Sequence, residues 1–210
     1  ILEISVVFLL GLSFAFVGVI PPGMLNISAA KISLKEGHLR GFVFSFGVCI
    51  IVGVQTYLAL IFAKYLSQHP DVVVVLKRVA LVLFILISIY FFLLAKSDAQ
   101  LQNVDASKSK RSRFFQGLFM SALNVFPIPY QAYVITTLLS YQLLSLDNLS
   151  VGTYIAGATM GTFIALYIYI LFFDNIKSSK ITSPKWMNYC IGIITAIVSI
   201  STLINILRSP

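Results

Sequence analysis

Charge is scarce in this chain. Only 10% of its 210 residues are Asp, Glu, Lys or Arg, and the acids number 7 against 15 bases. A soluble domain carries about 25% charged residues, so an ordinary water-facing surface is excluded. Histidine (2), cysteine (2) and tryptophan (1) are almost absent. No G-x-S-x-G, H-E-x-x-H or Cys-x-x-Cys occurs, and the apolar spans hold no Asp, Glu or His to act as a general base or grip a metal. An enzyme, a metal-ion carrier and a thiol-electron carrier each lack their parts; no cofactor and no metal are expected. Cys49 and Cys190 lie within apolar runs, where a thiol acts as a small buried hydrophobe.

What is abundant is apolar length. Hydrophobic residues make up 59% of the chain and mean hydropathy is +0.95. A spanning helix needs about 20 apolar residues. Charge-free runs occur at Ile4 to Ala30, Gly41 to Ala63, Val79 to Ala95, Phe114 to Leu146, Asn148 to Phe173 and Trp186 to Leu207. The expectation is an all-α integral membrane protein of about six spans, with a first three-helix repeat at 1–95, a basic cytoplasmic linker at 96–113 and a second three-helix repeat at 114–210. The first run has Glu3 where a signal peptide is basic and no A-x-A site, so it reads as a span.

The net charge of +8 does not point to nucleic acid. Lys31, Lys35, Arg40, then Lys96, Lys108, Lys110, Arg111, Arg113, then Lys177, Lys180 and Lys185 fall in the odd connections between spans. The positive-inside rule puts those connections in the cytoplasm and both termini outside. No aromatic residues interleave the basic run of the linker, which suits anionic lipid better than a nucleic acid.

Two apolar runs are interrupted. Pro21-Pro22-Gly23 removes two backbone donors and should end a helix near Ile20, with a short second helix over Met24 to Leu34. Pro127 and Pro129 interrupt the run that opens the second half. Prolines at matched places in the first span of each half, with three spans per half, form the pattern of an inverted repeat with proline-broken first and fourth helices. Helix ends left inside a membrane must face protein, water or a ligand. Their N-terminal amides, after Pro22 and Pro129, suit a carboxylate, and Asn26, Ser28, Asn124 and Gln131 lie close by. Pro21, Pro22, Gly23, Asn26, Ser28, Asn124, Pro127, Pro129 and Gln131 are therefore the candidate substrate-binding residues. Capping of the broken ends is the competing role for both asparagines. Counting residues along each helix places the first break toward the inner half of the bilayer and the second nearer its centre.

Small residues recur every four positions at Gly37, Gly41, Ser45, Cys49 and Gly53, and again at Gly157, Gly161 and Ala165. Such stripes let helices approach closely within a subunit or across a homodimer; Gly47 joins the same candidate packing set. Gln55, Thr56 and Tyr57 read as interhelical hydrogen bonding.

Pro21, Pro22, Gly23, Leu25, Gly37, Gly41 and Gly47, followed in the second half by Phe114, Gly117 and Asn124, resemble the pattern of the LysE-type amino-acid exporters, including the homoserine/threonine efflux branch. That family has Pro-Gly-Pro where this chain has Pro-Pro-Gly. The resemblance implies a multi-pass protein of the bacterial cytoplasmic membrane that exports amino acids or related small zwitterions by alternating access, driven by the proton motive force. Asp174 is the nearest candidate for a proton-linked carboxylate, and beside Lys177 an interfacial charge is the favoured reading of it. The competing reading is a nontransporting membrane scaffold or accessory protein whose glycine stripes bind a partner and whose proline breaks are mere kinks.

Overall fold

The computed structural model describes residues 4–21, 23–90, 93, 109–177, 193, 196–197, 199–200 and 203–204. Among them seven helices follow in order: α1 (Ile4–Val19), α2 (Met24–Glu36), α3 (His38–Gln68), α4 (Pro70–Ile89), α5 (Lys110–Leu123), α6 (Pro127–Ser140) and α7 (Asn148–Lys177). No strand occurs among the described residues. The all-α expectation is met, and large apolar side chains such as Phe119, Val125, Phe126 and Tyr133 face outward, as a lipid solvent demands. α3 and the stretch Asn148–Phe172 of α7 are each long and apolar enough to cross a membrane. The pairs α1 with α2 and α5 with α6 pass the same test together, bent by 81° and 63° at short breaks. That makes two to four candidate spans among the described residues, where about six were expected. α4 overlaps the expected third span, and most of the expected sixth lies outside the described residues.

The chain forms two compact units, Ile1–Ser67 with Asn103–Phe173, and Gln68–Gln102 with Asp174–Pro210. Each unit draws on both of the expected halves. α4 belongs to the second unit and starts where Pro70 needs no donor, its first turn closed by Val72 N–H on the His69 carbonyl at 3.1 Å. The remaining helices lie wholly or for most of their length in the first unit. α5 starts inside the expected linker, because the Ser109 hydroxyl accepts the Ser112 N–H at 3.2 Å and caps it. Arg113 is consequently a buried helical residue and not a lipid-facing linker cation.

Two apolar cores divide the first unit. One gathers Val7 of α1, Ala59, Leu60 and Ala63 of α3, Ala132, Val134, Ile135 and Leu138 of α6 and Tyr154 of α7. The other gathers Ala29 and Ile32 of α2, Phe44, Val48 and Val52 of α3 and Leu166 and Ile170 of α7, with Met120 of α5 beside it. α3 and α7 thus thread both cores in opposite senses, and between their two apolar stretches lie Gln55 and Thr56 on α3 and Thr159 and Thr162 on α7. The path α1 to α2 leaves one core and enters the other; α5 to α6 does the reverse. Both breaks therefore lie between the cores.

Glycine makes the helix contacts close. A Cβ on Gly117 of α5 would collide with the Phe44 carbonyl oxygen of α3, and one on Gly47 of α3 with the Phe114 carbonyl oxygen, lying 2.9 Å from Leu118 N. A Cβ on Gly11 of α1 would strike the Tyr154 carbonyl oxygen of α7, and one on Gly157 the Phe8 carbonyl oxygen, lying 3.0 Å from Leu12 N. Gly161 meets Leu12 in the same way. The four-residue stripe on α3 is not one seam: Gly41 faces Ser33 and Ala29 of α2, whereas a Cβ on Gly53 would lie 3.5 Å from the Thr159 hydroxyl of α7. Gly37 takes no part in packing. It has open space about it and turns the chain from α2 to α3 at φ 92°.

Candidate functional site

At the first break α1 ends at Val19 and α2 starts at Met24. The carbonyls at and just past the end of α1 are met by two side chains. Asn26 Nδ2 donates to Val19 O at 2.6 Å and to Pro21 O at 3.0 Å. The Tyr169 hydroxyl of α7 donates to Ile20 O at 2.8 Å. Farther back, inside α1, the Tyr130 hydroxyl of α6 donates to Phe14 O at 2.9 Å. Asn26 and Tyr169 are buried, where an orphan carbonyl costs about 1–3 kcal/mol, so these bonds hold the break open at a fixed angle. Gly23 is extended (φ −122°, ψ 175°) with room for a Cβ. Its role is therefore not the turning freedom that its sequence context suggests. The α2 N-terminus has no side-chain cap, and its first turn closes through Ile27 N–H on Gly23 O at 3.0 Å.

The second break is built differently. Gln55 of α3 reaches across to α5, its Nε2 donating to Ser121 O at 3.1 Å and to Asn124 O at 2.8 Å. α6 starts at Pro127 with no side-chain cap. Pro127 and Pro129 have no N–H, while Ile128 N–H and Tyr130 N–H bond Val125 O at 3.2 Å and Phe126 O at 3.4 Å. The expected carboxylate-binding amides after Pro129 are thus missing, because proline removes two and the backbone uses the others. Ser121 O, Asn124 O, Val125 O and Phe126 O each already accept a bond, so the acceptor left over at the second break is the buried Gln55 Oε1.

Tyr130 links the breaks. Its ring fills the space over Gly18, where a Cβ would come within 2.7 Å of the ring edge. Gln131 is buried and accepts from the Tyr154 hydroxyl at 2.9 Å. Ser28 and Asn124 are half-buried, Pro127 is half-buried, and Pro21 and Pro129 are exposed; Pro22 lies outside the described residues. The Asp174 side chain also lies outside them. Among the described residues no group of three His, Cys, Asp or Glu forms.

Sequence reasoning passed over several residues of this arrangement. Tyr130, Tyr169 and Glu36 were not among its candidates, and the Glu36 side chain is 2% exposed and ion-paired with Arg113, whose side chain is 1% exposed. The expected interhelical hydrogen bonding of Gln55 is found, but with backbone carbonyls at the second break. A usable signal was present for Gln55, a full amide near the middle of an apolar run.

No match to the chain was found among curated proteins or among solved structures. A family model does match, over residues 16–205, and the stretch takes in both breaks, both long helices and the polar layer between the cores. The chain belongs to the LysE type translocator family and is a multi-pass membrane transport protein.

Proposed function

We propose that this protein exports amino acids or related small zwitterions across a bacterial cytoplasmic membrane by alternating access about the two helix breaks. The observation that carries this reading is the pair of breaks between two apolar cores, one with an uncapped helix N-terminus and the other with a buried, unbonded amide oxygen, Gln55 Oε1. A zwitterion needs both kinds of group.

An inverted repeat supports the cycle. One constant shift in sequence takes Phe8 to Phe114, Gly11 to Gly117 and Pro21 to Pro127; a second takes Phe44 to Tyr154, Gly47 to Gly157 and Cys49 to Thr159. Under these shifts the contacts of Gly11 with Tyr154 and of Gly157 with Phe8 become those of Gly117 with Phe44 and of Gly47 with Phe114. The Cys49 thiol lies 3.8 Å from the Thr159 carbonyl oxygen, so residues matched by the second shift meet where α3 and α7 cross. A pseudo-two-fold relation of this kind supplies two nearly equal arrangements, open to opposite sides. Near α2 and α5 the halves are tied by Glu36 and Arg113, and near α1 and α6 by Tyr130. Ser28, Asn124 and Gln131 lie around the proposed site, with both termini outside.

The test is transport by purified protein in proteoliposomes under an imposed proton gradient, with radiolabelled amino acids as a panel. Gradient-dependent movement of at least one amino acid is expected. Absence of movement for the whole panel, in vesicles whose protein is folded, would overturn the reading.

A further inference from the structure

We infer that Gln55 is the residue that receives the ammonium group of the transported zwitterion, through its Oε1 at the second helix break. The inference rests on the amino-acid reading above and deepens it. Gln55 is 4% exposed, and its Oε1 is a buried atom without a hydrogen-bond partner, the single such side-chain atom among the described residues. The orientation of the amide is dictated by its neighbours. Nε2 faces two carbonyl oxygens, Ser121 O and Asn124 O, and a flipped amide would set an acceptor against two acceptors. Both hydrogens of Nε2 are committed, so Oε1 is left over.

A buried amide oxygen without a donor costs about 1–3 kcal/mol, so the position calls for a donor that arrives from outside the fold. Its surroundings favour a cation. The C-terminal end of α5 carries the negative pole of the helix dipole. The start of α6, where a positive pole would have amides to offer, has lost two N–H groups to Pro127 and Pro129 and has bonded the others. No amide of α6 is thus left over to bond Gln55 Oε1. At the first break Asn26 and Tyr169 bond the carbonyls of Val19, Ile20 and Pro21, and α2 presents an uncapped N-terminus. A zwitterion would lie with its ammonium toward α5 and its carboxylate toward α2.

The experiment compares L-threonine, L-leucine and L-lysine with their des-amino analogues 3-hydroxybutanoate, 4-methylpentanoate and 6-aminohexanoate. Each is used as an inhibitor of transport in proteoliposomes holding wild type, Gln55→Met or Gln55→Glu. A charged hydrogen bond of this kind corresponds to about 10- to 100-fold, so wild type should prefer the amino acid by that factor. Gln55→Met keeps the shape and loses both polar functions; its preference should fall to about one. Gln55→Glu loses the two bonds to α5 but keeps acceptors, and should retain or sharpen the preference. The ratio is independent of how much protein folds. A wild type that treats each amino acid and its des-amino analogue alike overturns the assignment without any variant. So does an unchanged ratio in Gln55→Met, which would leave Oε1 bonded to water, or a folded Gln55→Glu that loses the preference. If wild type transports none of the amino acids, the functional reading falls and the assignment with it; if it transports them with the wrong ratios, the assignment alone falls.

Discussion

Arg113 at the start of α5 and Glu36 at the end of α2 form a buried, two-pronged ion pair. Arg113 Nε donates to Glu36 Oε2 at 2.9 Å, Nη2 pairs with Oε1, and Nη1 is taken by Gln116. Arg40, one turn along the chain, adds a second cation 3.9 Å from the same carboxylate. Removing one member of such a pair strands a charge, whereas removing both does not. Arg113→Met and Glu36→Met should each destabilise the protein by roughly 3–5 kcal/mol, and the double variant should recover most of that loss. Thermal unfolding in detergent around a double-mutant cycle measures it. Additive losses would mean that the pair contributes no coupling.

The glycine seams predict opposite outcomes for one chemical change. Gly117→Ala sets a methyl against the backbone of Phe44, which cannot swing aside as a side chain would. It should cost at least 1–3 kcal/mol or prevent assembly. Gly152→Ala, in the first turns of α7 with nothing within 4 Å, should leave stability unchanged or raise it by about 0.5–1 kcal/mol. Monodispersity and unfolding temperature of the two variants, side by side, separate close approach from helix propensity.

The breaks were legible because proline acts locally: Pro21 follows the end of α1, and Pro127 opens α6 at its first position, where a missing N–H costs no helix bond. The spans were legible because a bilayer demands apolar length. What could not be read is which groups the breaks bond. Tyr169 and Ile20, Gln55 and Ser121, and Glu36 and Arg113 are far apart in sequence, and no short-range pattern pairs them. The stripe of small residues on α3 was legible as a close-packing face, but not that Gly41 meets α2 while Gly53 meets α7. Nor does a proline motif reveal its own cost in donors; only the bonds of Ile128 and Tyr130 show that α6 has none left over near its start.

Two turn positions carry a torsional prediction. Gly37 has φ 92° and open space, so Gly37→Ala meets strain without collision and should cost about 1–2 kcal/mol. Gln142 ends α6 at φ 56°, with Leu143 N–H on Leu138 O at 2.8 Å and Gln142 N–H on Leu139 O at 3.1 Å. This is the position that glycine favours after a helix. Gln142→Gly should therefore stabilise by about 0.5–1 kcal/mol. Opposite shifts in unfolding temperature are expected, and a shift of the same sign in both would refute the torsional account.

Asp147 precedes α7 and sets a pH dependence. Hydrogen bonds from the Ser145 and Ser150 side chains, then from the Ser150 and Leu149 amides, hold its carboxyl well below the usual carboxylate range. A depressed folded pKa contributes stability above the unfolded value, about 3.9, and loses it as pH falls through the folded value. Asp147→Ala should unfold at a lower temperature than wild type by a constant margin from pH 7 to pH 5. The margin should shrink below about pH 4. The carboxyl is exposed to solvent, so the effect is small, and a margin that grows on acidification would reverse the sign.

Asn26 and Tyr169 cap neighbouring carbonyls of one break, and the Asn26 side chain also interacts with the Tyr169 hydroxyl. They form one network, so their losses should not add. Tyr169→Phe removes a single donor and should cost about 0.5–1.5 kcal/mol. Asn26→Ala strands two buried carbonyl bonds and should cost more, about 1–3 kcal/mol. The double variant should fall short of the sum, because once Asn26 is gone the break relaxes and Ile20 O can find water. Capping of this kind acts on the shape of the site without touching the ammonium end of a ligand. Both single variants should therefore keep the preference for an amino acid over its des-amino analogue while losing stability. An Asn26→Ala protein of wild-type stability that no longer distinguishes the two would transfer Asn26 from the frame of the site to the site itself.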